Sequence, residues 1–132
     1  MNQTNLTAAT RMTGRVLMSA IFFMAGISKL GSYAATQGYM ESMGVPGILL
    51  PLVILLELGG GLGVLLGWHT RISAFLLAGF CIVSALIFHA SFSDQMQSIL
   101  FMKNLAMAGG FLFLVADGAG AWSLDARRQA NR

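Results

Sequence analysis

The stretch Val53-Ile54-Leu55-Leu56-Glu57-Leu58-Gly59-Gly60-Gly61-Leu62-Gly63 sets one carboxylate in an apolar run and follows it with four glycines in five residues. Whether that run lies in water, in a protein core or in a bilayer decides the fold. The surrounding chain has 132 residues, of which 56% are hydrophobic and only 10% charged, where a soluble domain carries about 25% charged residues. Its mean hydropathy is +0.73. A soluble chain of this size cannot bury that much apolar surface, so residues 1–132 are expected to form one membrane-embedded domain. The run tolerates its carboxylate. Thirteen Leu, Ile and Val residues between positions 48 and 67 each favour insertion by about 0.3–0.6 kcal/mol, against roughly 2.5–3.5 for one central acidic residue.

Outward from this stretch, apolar residues dominate about 14–30, 48–67, 72–90 and 99–116, each close to the ~17–25 residues a spanning helix needs. The breaks carry turn chemistry: Gly31-Ser32, Gly44-Val45-Pro46-Gly47, Gly67-Trp68-His69-Thr70-Arg71 and Ser91-Phe92-Ser93-Asp94. An all-α bundle of four transmembrane helices follows. The first segment also has features of a cleaved signal peptide, with Arg11 and Arg15 ahead of it and small residues after it. Lys29 at the end of its apolar core argues against that alternative. Arg11, Arg15, Arg71, Arg127, Arg128 and Arg132 all fall on one side of the four-helix arrangement, whereas the other two loops offer Glu41 and Asp94. The positive-inside rule therefore predicts cytoplasmic termini, with Trp68 and Trp122 as anchors at that interface. The first outer loop, residues 32–47, has room for a short surface helix carrying Tyr39, Met40 and Met43, able to cap the bundle.

This topology brings Lys29, Glu57, His89 and Lys103 into the outer half of the membrane, with Asn104 beside Lys103 as the fifth member of a polar cluster and Glu57 deepest at roughly 14 Å along its helix. Facing lipid, each charge would be expensive and unpaired; facing one another is cheaper. Arg15 and Lys29 are within about 40° on one helical face, and Asp117 is expected near Arg15. Gly59, Gly63 and Gly67 form overlapping GxxxG repeats, a helix-packing face within the bundle or between protomers of a homo-oligomer. Plainer readings stand beside these. Lys29 and Lys103 reach the outer headgroups by snorkelling, Glu57 forms a purely structural ion pair, His89 is an interfacial histidine, and Asn104 is interhelical glue. The nine methionines read as core filler, Cys81 as a small core residue and His69 as a loop residue.

The chemistry is bounded by what is missing. The two histidines belong to opposite membrane faces, which argues against haem; no zinc, iron–sulfur or flavin motif occurs, so no metal site and no redox cofactor is encoded. The formal charge of +3 is spread one or two residues at a time, unlike a nucleic-acid-binding patch. What remains is a carboxylate, two ammonium groups and an imidazole in an apolar chamber. Such a set suits hydrogen bonding to the carbonyl oxygens of a bound quinone and exchange of its protons.

The run Arg15…Gly26-Ile27-Ser28-Lys29, then Glu57-Leu58-Gly59-Gly60-Gly61, Gly67…Thr70-Arg71, His89, Lys103-Asn104 and Gly118-Ala119-Gly120-Ala121-Trp122-Ser123-Leu124-Asp125 resembles the DoxX family of four-helix inner-membrane proteins. The segment Gly38-Tyr39-Met40-Glu41-Ser42-Met43-Gly44-Val45-Pro46-Gly47 is similar to one bacterial branch of it. The resemblance covers about residues 11–128. It implies a multi-pass protein of the bacterial inner membrane, linked in some members to quinone-dependent oxidation of sulfur compounds or to resistance against oxidants and quinone-like electrophiles. It carries Lys29, Glu57, His89 and Lys103 over as candidate functional positions. The leading expectation is thus an oxidoreductase component that binds quinone or a small aromatic and depends on a partner protein for electrons. The alternatives are a structural or assembly subunit of a membrane redox complex and a small transporter. Small multidrug-resistance proteins also have four helices and one intramembrane glutamate, but theirs lies in the first helix, free of neighbouring lysines.

Overall fold

The computed structural model describes residues 2–132. Helix α1 (Gln3–Gly31) starts well before residue 14, because Asn2 caps it by accepting a 2.8 Å hydrogen bond from the Asn5 amide. Its buried residues Ala8, Arg15, Ser19, Phe22 and Gly26 fall on one stripe. A short helix α2 (Tyr33–Ser42) occupies the loop between the first two spans, where a short surface helix was expected. It buries Met40 and stacks Tyr39 on Phe88 with ring centroids 5.4 Å apart, while Met43 stays exposed.

The second membrane-length helix, Gly47–Leu66, is not uniform. A 3₁₀ turn over Gly47–Leu49 leads into α3 (Leu50–Leu55), a π turn over Leu56–Gly60 and α4 (Gly61–Leu66). The π turn contains Glu57. Gly67 ends this span in the left-handed conformation, φ +68°, where a side chain would meet Ser123 and the Arg15 guanidinium. Helices α5 (Thr70–Phe88) and α6 (Gln95–Asp117) form a long antiparallel pair, and α7 (Leu124–Ala130) closes the chain. Four helices are long and apolar enough to cross a membrane, and no strand occurs among the described residues.

Phe22 joins these elements at the centre. It packs edge-on against Phe111 at 5.4 Å and Phe80 at 6.4 Å, among buried Val64, Ala74, Leu77, Cys81 and Ala108. Cys81 is a free, buried thiol in this core. Many large apolar side chains face outward, including Leu17, Met24, Leu55, Phe75 and Phe113, as expected of a surface whose solvent is lipid.

The glycine face differs from the GxxxG expectation. Gly63 packs against Ser73 and the Trp68 carbonyl, and Gly67 fits as described, but Gly59 is exposed with open space where a side chain would be. The reason is the π turn, which takes about one more residue per turn than an α-helix, so a four-residue spacing does not hold its face through it. Gly61 and Gly60 supply the close contacts instead. A Cβ on Gly61 would be 3.5 Å from the α1 backbone at Ser19 and Phe23, and one on Gly60 would be 3.1 Å from Leu77.

Arg15 is 1% exposed and donates to the carbonyls of Val64, Leu65 and Trp122. A cation thereby meets the carbonyl end of α4. The expected partner Asp117 is exposed and forms no salt bridge with it; backbone carbonyls take the two terminal nitrogens of the guanidinium instead. Asp125 does the complementary job at the start of α5. It accepts hydrogen bonds from the His69 amide (2.8 Å), the Thr70 amide (2.9 Å) and the Thr70 hydroxyl (2.7 Å). The segment after α6 is therefore tied to the turn between the second and third spans.

Candidate functional site

Glu57 is the charge that an apolar run must accommodate, and the fold answers with Lys29. Gly26 lets α1 approach the π turn: a Cβ there would be 2.7 Å from Leu58 and 3.5 Å from the Glu57 Cβ. Three residues further along the same face, Lys29 reaches back so that its Nζ is 2.8 Å from Glu57 Oε1. The two partners are unequally covered, with side-chain exposures of 27% for Lys29 and 2% for Glu57. The pair borders a cavity of about 470 Å³ in the half of the bundle away from both termini.

The cavity lies between α1, α2, α3, the π turn, α5 and α6, and its walls are largely apolar. Phe22, Phe80, Phe88 and Tyr39 supply aromatic surface, and Ile21, Val53, Val83, Ile87 and Met107 supply aliphatic surface. Ile21, Val83 and Ile87 are also exposed on the outside of the bundle, so the cavity opens on the flank that faces hydrocarbon. Its polar groups are few. Lys29 and Glu57 stand at one wall, and His89 follows α5 with its Nδ1 2.8 Å from Gln97 Oε1. Asn104 of α6 gives an amide hydrogen to the Leu100 carbonyl at 3.0 Å and also lines the space.

Four of the five residues expected in the polar cluster, Lys29, Glu57, His89 and Asn104, thus line one cavity. Lys103 does not: it is exposed and outside the lining. Neighbours on a helix point about 100° apart, so with Asn104 turned to the cavity Lys103 faces out, within reach of headgroups. The hydroxyls of Thr36 and Ser84 were not anticipated and also line the space. Ser84 is the polar residue within Phe80–Phe88, the same kind of signal that Glu57 gave. Among the described residues, no group of three or more His, Cys, Asp or Glu is placed to hold a metal ion.

At the opposite end of the bundle Asp125 sits among donors. Partial burial alone would raise its pKa, but the hydrogen bonds from Thr70 and His69 and the nearby Arg128 outweigh that and hold it below its ordinary value.

A four-helix membrane bundle with a buried carboxylate–ammonium pair at an apolar, flank-open cavity defines the class of protein. The family model for DoxX matches residues 10–90, and the chain belongs to the DoxX family. Over 114 residues it is 52% identical to the inner membrane protein YqjF of Escherichia coli (strain K12), covering 86% of this chain and 88% of that one. It is 32% identical over 120 residues to the inner membrane protein YphA of the same organism, covering 86% of each. It is a multi-pass inner-membrane protein. No solved structure matches. The family match includes Lys29, Glu57 and His89; Lys103 and Asn104 lie beyond it.

Proposed function

We propose that this protein is a component of an inner-membrane oxidoreductase that binds a quinone or a small aromatic molecule in the outer cavity, in defence against oxidants or quinone-like electrophiles. The observation that carries the reading is the cavity itself: about 470 Å³, apolar on most sides, open towards hydrocarbon, and edged by Lys29, Glu57, His89 and Asn104. That is the usual make-up of a small-molecule site, with a few converging polar groups in an apolar pocket. An aromatic ring would pack between Phe22, Phe80 and Phe88. Lys29 is a donor suited to a carbonyl oxygen, and the Lys29–Glu57 pair and His89 are suited to proton exchange. Converting a quinone to its quinol takes two electrons and two protons. The protons pass through these side chains, and the electrons come from a redox centre on a partner protein.

Titration of a short-chain quinone into the detergent-solubilised protein, followed by calorimetry, tests the reading. Saturable binding is expected, and Ser84→Phe, which fills the cavity from α5, should abolish it without lowering the unfolding midpoint. Absence of saturable binding to the wild-type protein would refute it. A structural reading is favoured by one observation, the closed 2.8 Å pair that already neutralises Glu57. It predicts that Lys29→Met combined with Glu57→Gln restores both folding and protection of cells against a quinone-type oxidant. A ligand site predicts recovery of folding alone.

A further inference from the structure

At the end of the bundle that carries both termini, a second cavity of about 610 Å³ lies between α1, the start of α5 and the segment after α6. Three guanidinium groups from three elements line it: Arg11 of α1, Arg71 of α5 and Arg128 of α7. The loop Gly118-Ala119-Gly120-Ala121 runs between two of them. Gly118 and Gly120 have φ of +76° and +89°. A Cβ on Gly118 would be 3.3 Å from Arg71 Nε, and one on Gly120 would be 2.9 Å from the Arg11 side chain. The two glycines thus let both arginines close on one loop from opposite sides.

Donors exceed acceptors here. Asp125 is occupied by Thr70, His69 and, at 3.9 Å, Arg128. Arg128 also lies 3.2 Å from His69 Nε2. Neither Arg11 nor Arg71 has a carboxylate within salt-bridge distance among the described residues, although the exposed Asp117 shares the lining. Deeper in, between α1 and α6, a smaller cavity shares Arg11, Asp117 and Gly118 with this one and is lined by the buried Arg15, whose Nε has no hydrogen-bond partner. A tetrahedral oxyanion supplies several acceptors at one point and suits the planar guanidinium fork. The exposed indoles of Trp68 and Trp122 belong to the same end, which puts the cavity at headgroup level.

We propose that this cavity binds a phosphate ester of net negative charge, gripped by Arg11 and Arg71. The same chemistry is offered by the headgroup of an anionic phospholipid and by a free phosphate monoester. Thermal unfolding of the full chain in neutral detergent tests the site, with phosphatidylglycerol, phosphatidylcholine or glycerol 3-phosphate added. The variants are Arg11→Gln with Arg71→Gln, each single substitution, and Arg127→Gln with Arg132→Gln as a charge-matched control outside the lining. Phosphatidylglycerol is expected to raise the wild-type midpoint saturably and phosphatidylcholine much less. The cavity double variant should lose most of that shift, each single variant part of it, and the control little. An equal response to glycerol 3-phosphate supports the site with a free ester as its occupant; a response to the lipid alone supports it with the headgroup. Equal losses in the cavity and control variants, or no shift with either phosphatidylglycerol or glycerol 3-phosphate, would overturn the proposal.

Discussion

Breaking the Lys29–Glu57 pair from its two ends should cost different amounts. Lys29→Met leaves a carboxylate that is 2% exposed without its ammonium partner, and an uncompensated buried charge costs about 3–5 kcal/mol. Glu57→Gln leaves an ammonium whose side chain is already 27% exposed. That chain can carry its charge outward along four methylenes, so the cost falls to about 1–2 kcal/mol, near that of a lost hydrogen bond to a charged group. The double variant removes both charges and should return to within about 1 kcal/mol of wild type, for a coupling of about 3–7 kcal/mol. Unfolding in mixed micelles, followed by tryptophan fluorescence across a denaturing-detergent titration, measures all four corners of the cycle. Equal costs for the single variants would refute the outward route for Lys29. A double variant as damaged as the sum of the singles would refute the pair.

Gly63→Leu should lower the unfolding midpoint sharply, because its side chain would collide with Ser73 and the Trp68 carbonyl. Gly59→Ala, which enters open space, should leave it unchanged or raise it by the ~0.5–1 kcal/mol that alanine gains over glycine in a helix. Asp125→Asn should cost about 0.5–2 kcal/mol, because the charge-assisted hydrogen bonds from the His69 and Thr70 amides become neutral ones, roughly half as strong. Since its surroundings hold the Asp125 pKa low, the wild-type carboxylate contributes fully above the ordinary unfolded value of about 3.9. The contribution fades as pH falls through the lower folded value, and acid unfolding of the asparagine variant should lack this component. Alkaline phosphatase fused after Arg132 should be inactive if the six arginines face the cytoplasm; an active fusion would reverse the orientation.

Spans were readable because hydrophobic length is a direct requirement of the bilayer, and the four apolar segments became four membrane-length helices. The inward placement of Glu57 was readable for the same reason, as a charge that lipid does not accept. Its partner could be narrowed to the chain's two lysines, Lys29 and Lys103, but not chosen by helix periodicity alone. Lys103 and Asn104 are adjacent in sequence, and which of them turns to the cavity depends on how α6 is rotated against α5. The π turn at Leu56–Gly60 was hidden because nothing in Leu-Glu-Leu-Gly-Gly separates a π turn from an α turn, and with it the outward turn of Gly59. From its helix face, Arg15 is an interior cation, and Asp117 is the carboxylate expected near it. Arg15 found the carbonyl end of α4 and the Trp122 carbonyl instead, acceptors that no side-chain pattern advertises. The cap that Asp125 places on α5 joins positions more than fifty residues apart, and it too leaves no local mark.

The central claim, that the cavity beside Glu57 holds a quinone or a similar aromatic, is tested most directly by identifying what leaves the purified protein on extraction into organic solvent. Mass spectrometry should find a quinone with the wild-type protein, in a fixed ratio to it. The folded Lys29→Met/Glu57→Gln double variant, whose cavity has lost its charged edge, should carry markedly less. An extract without quinone or other aromatic ligand, or one equally rich in both proteins, would contradict the account and leave Glu57 as part of the architecture.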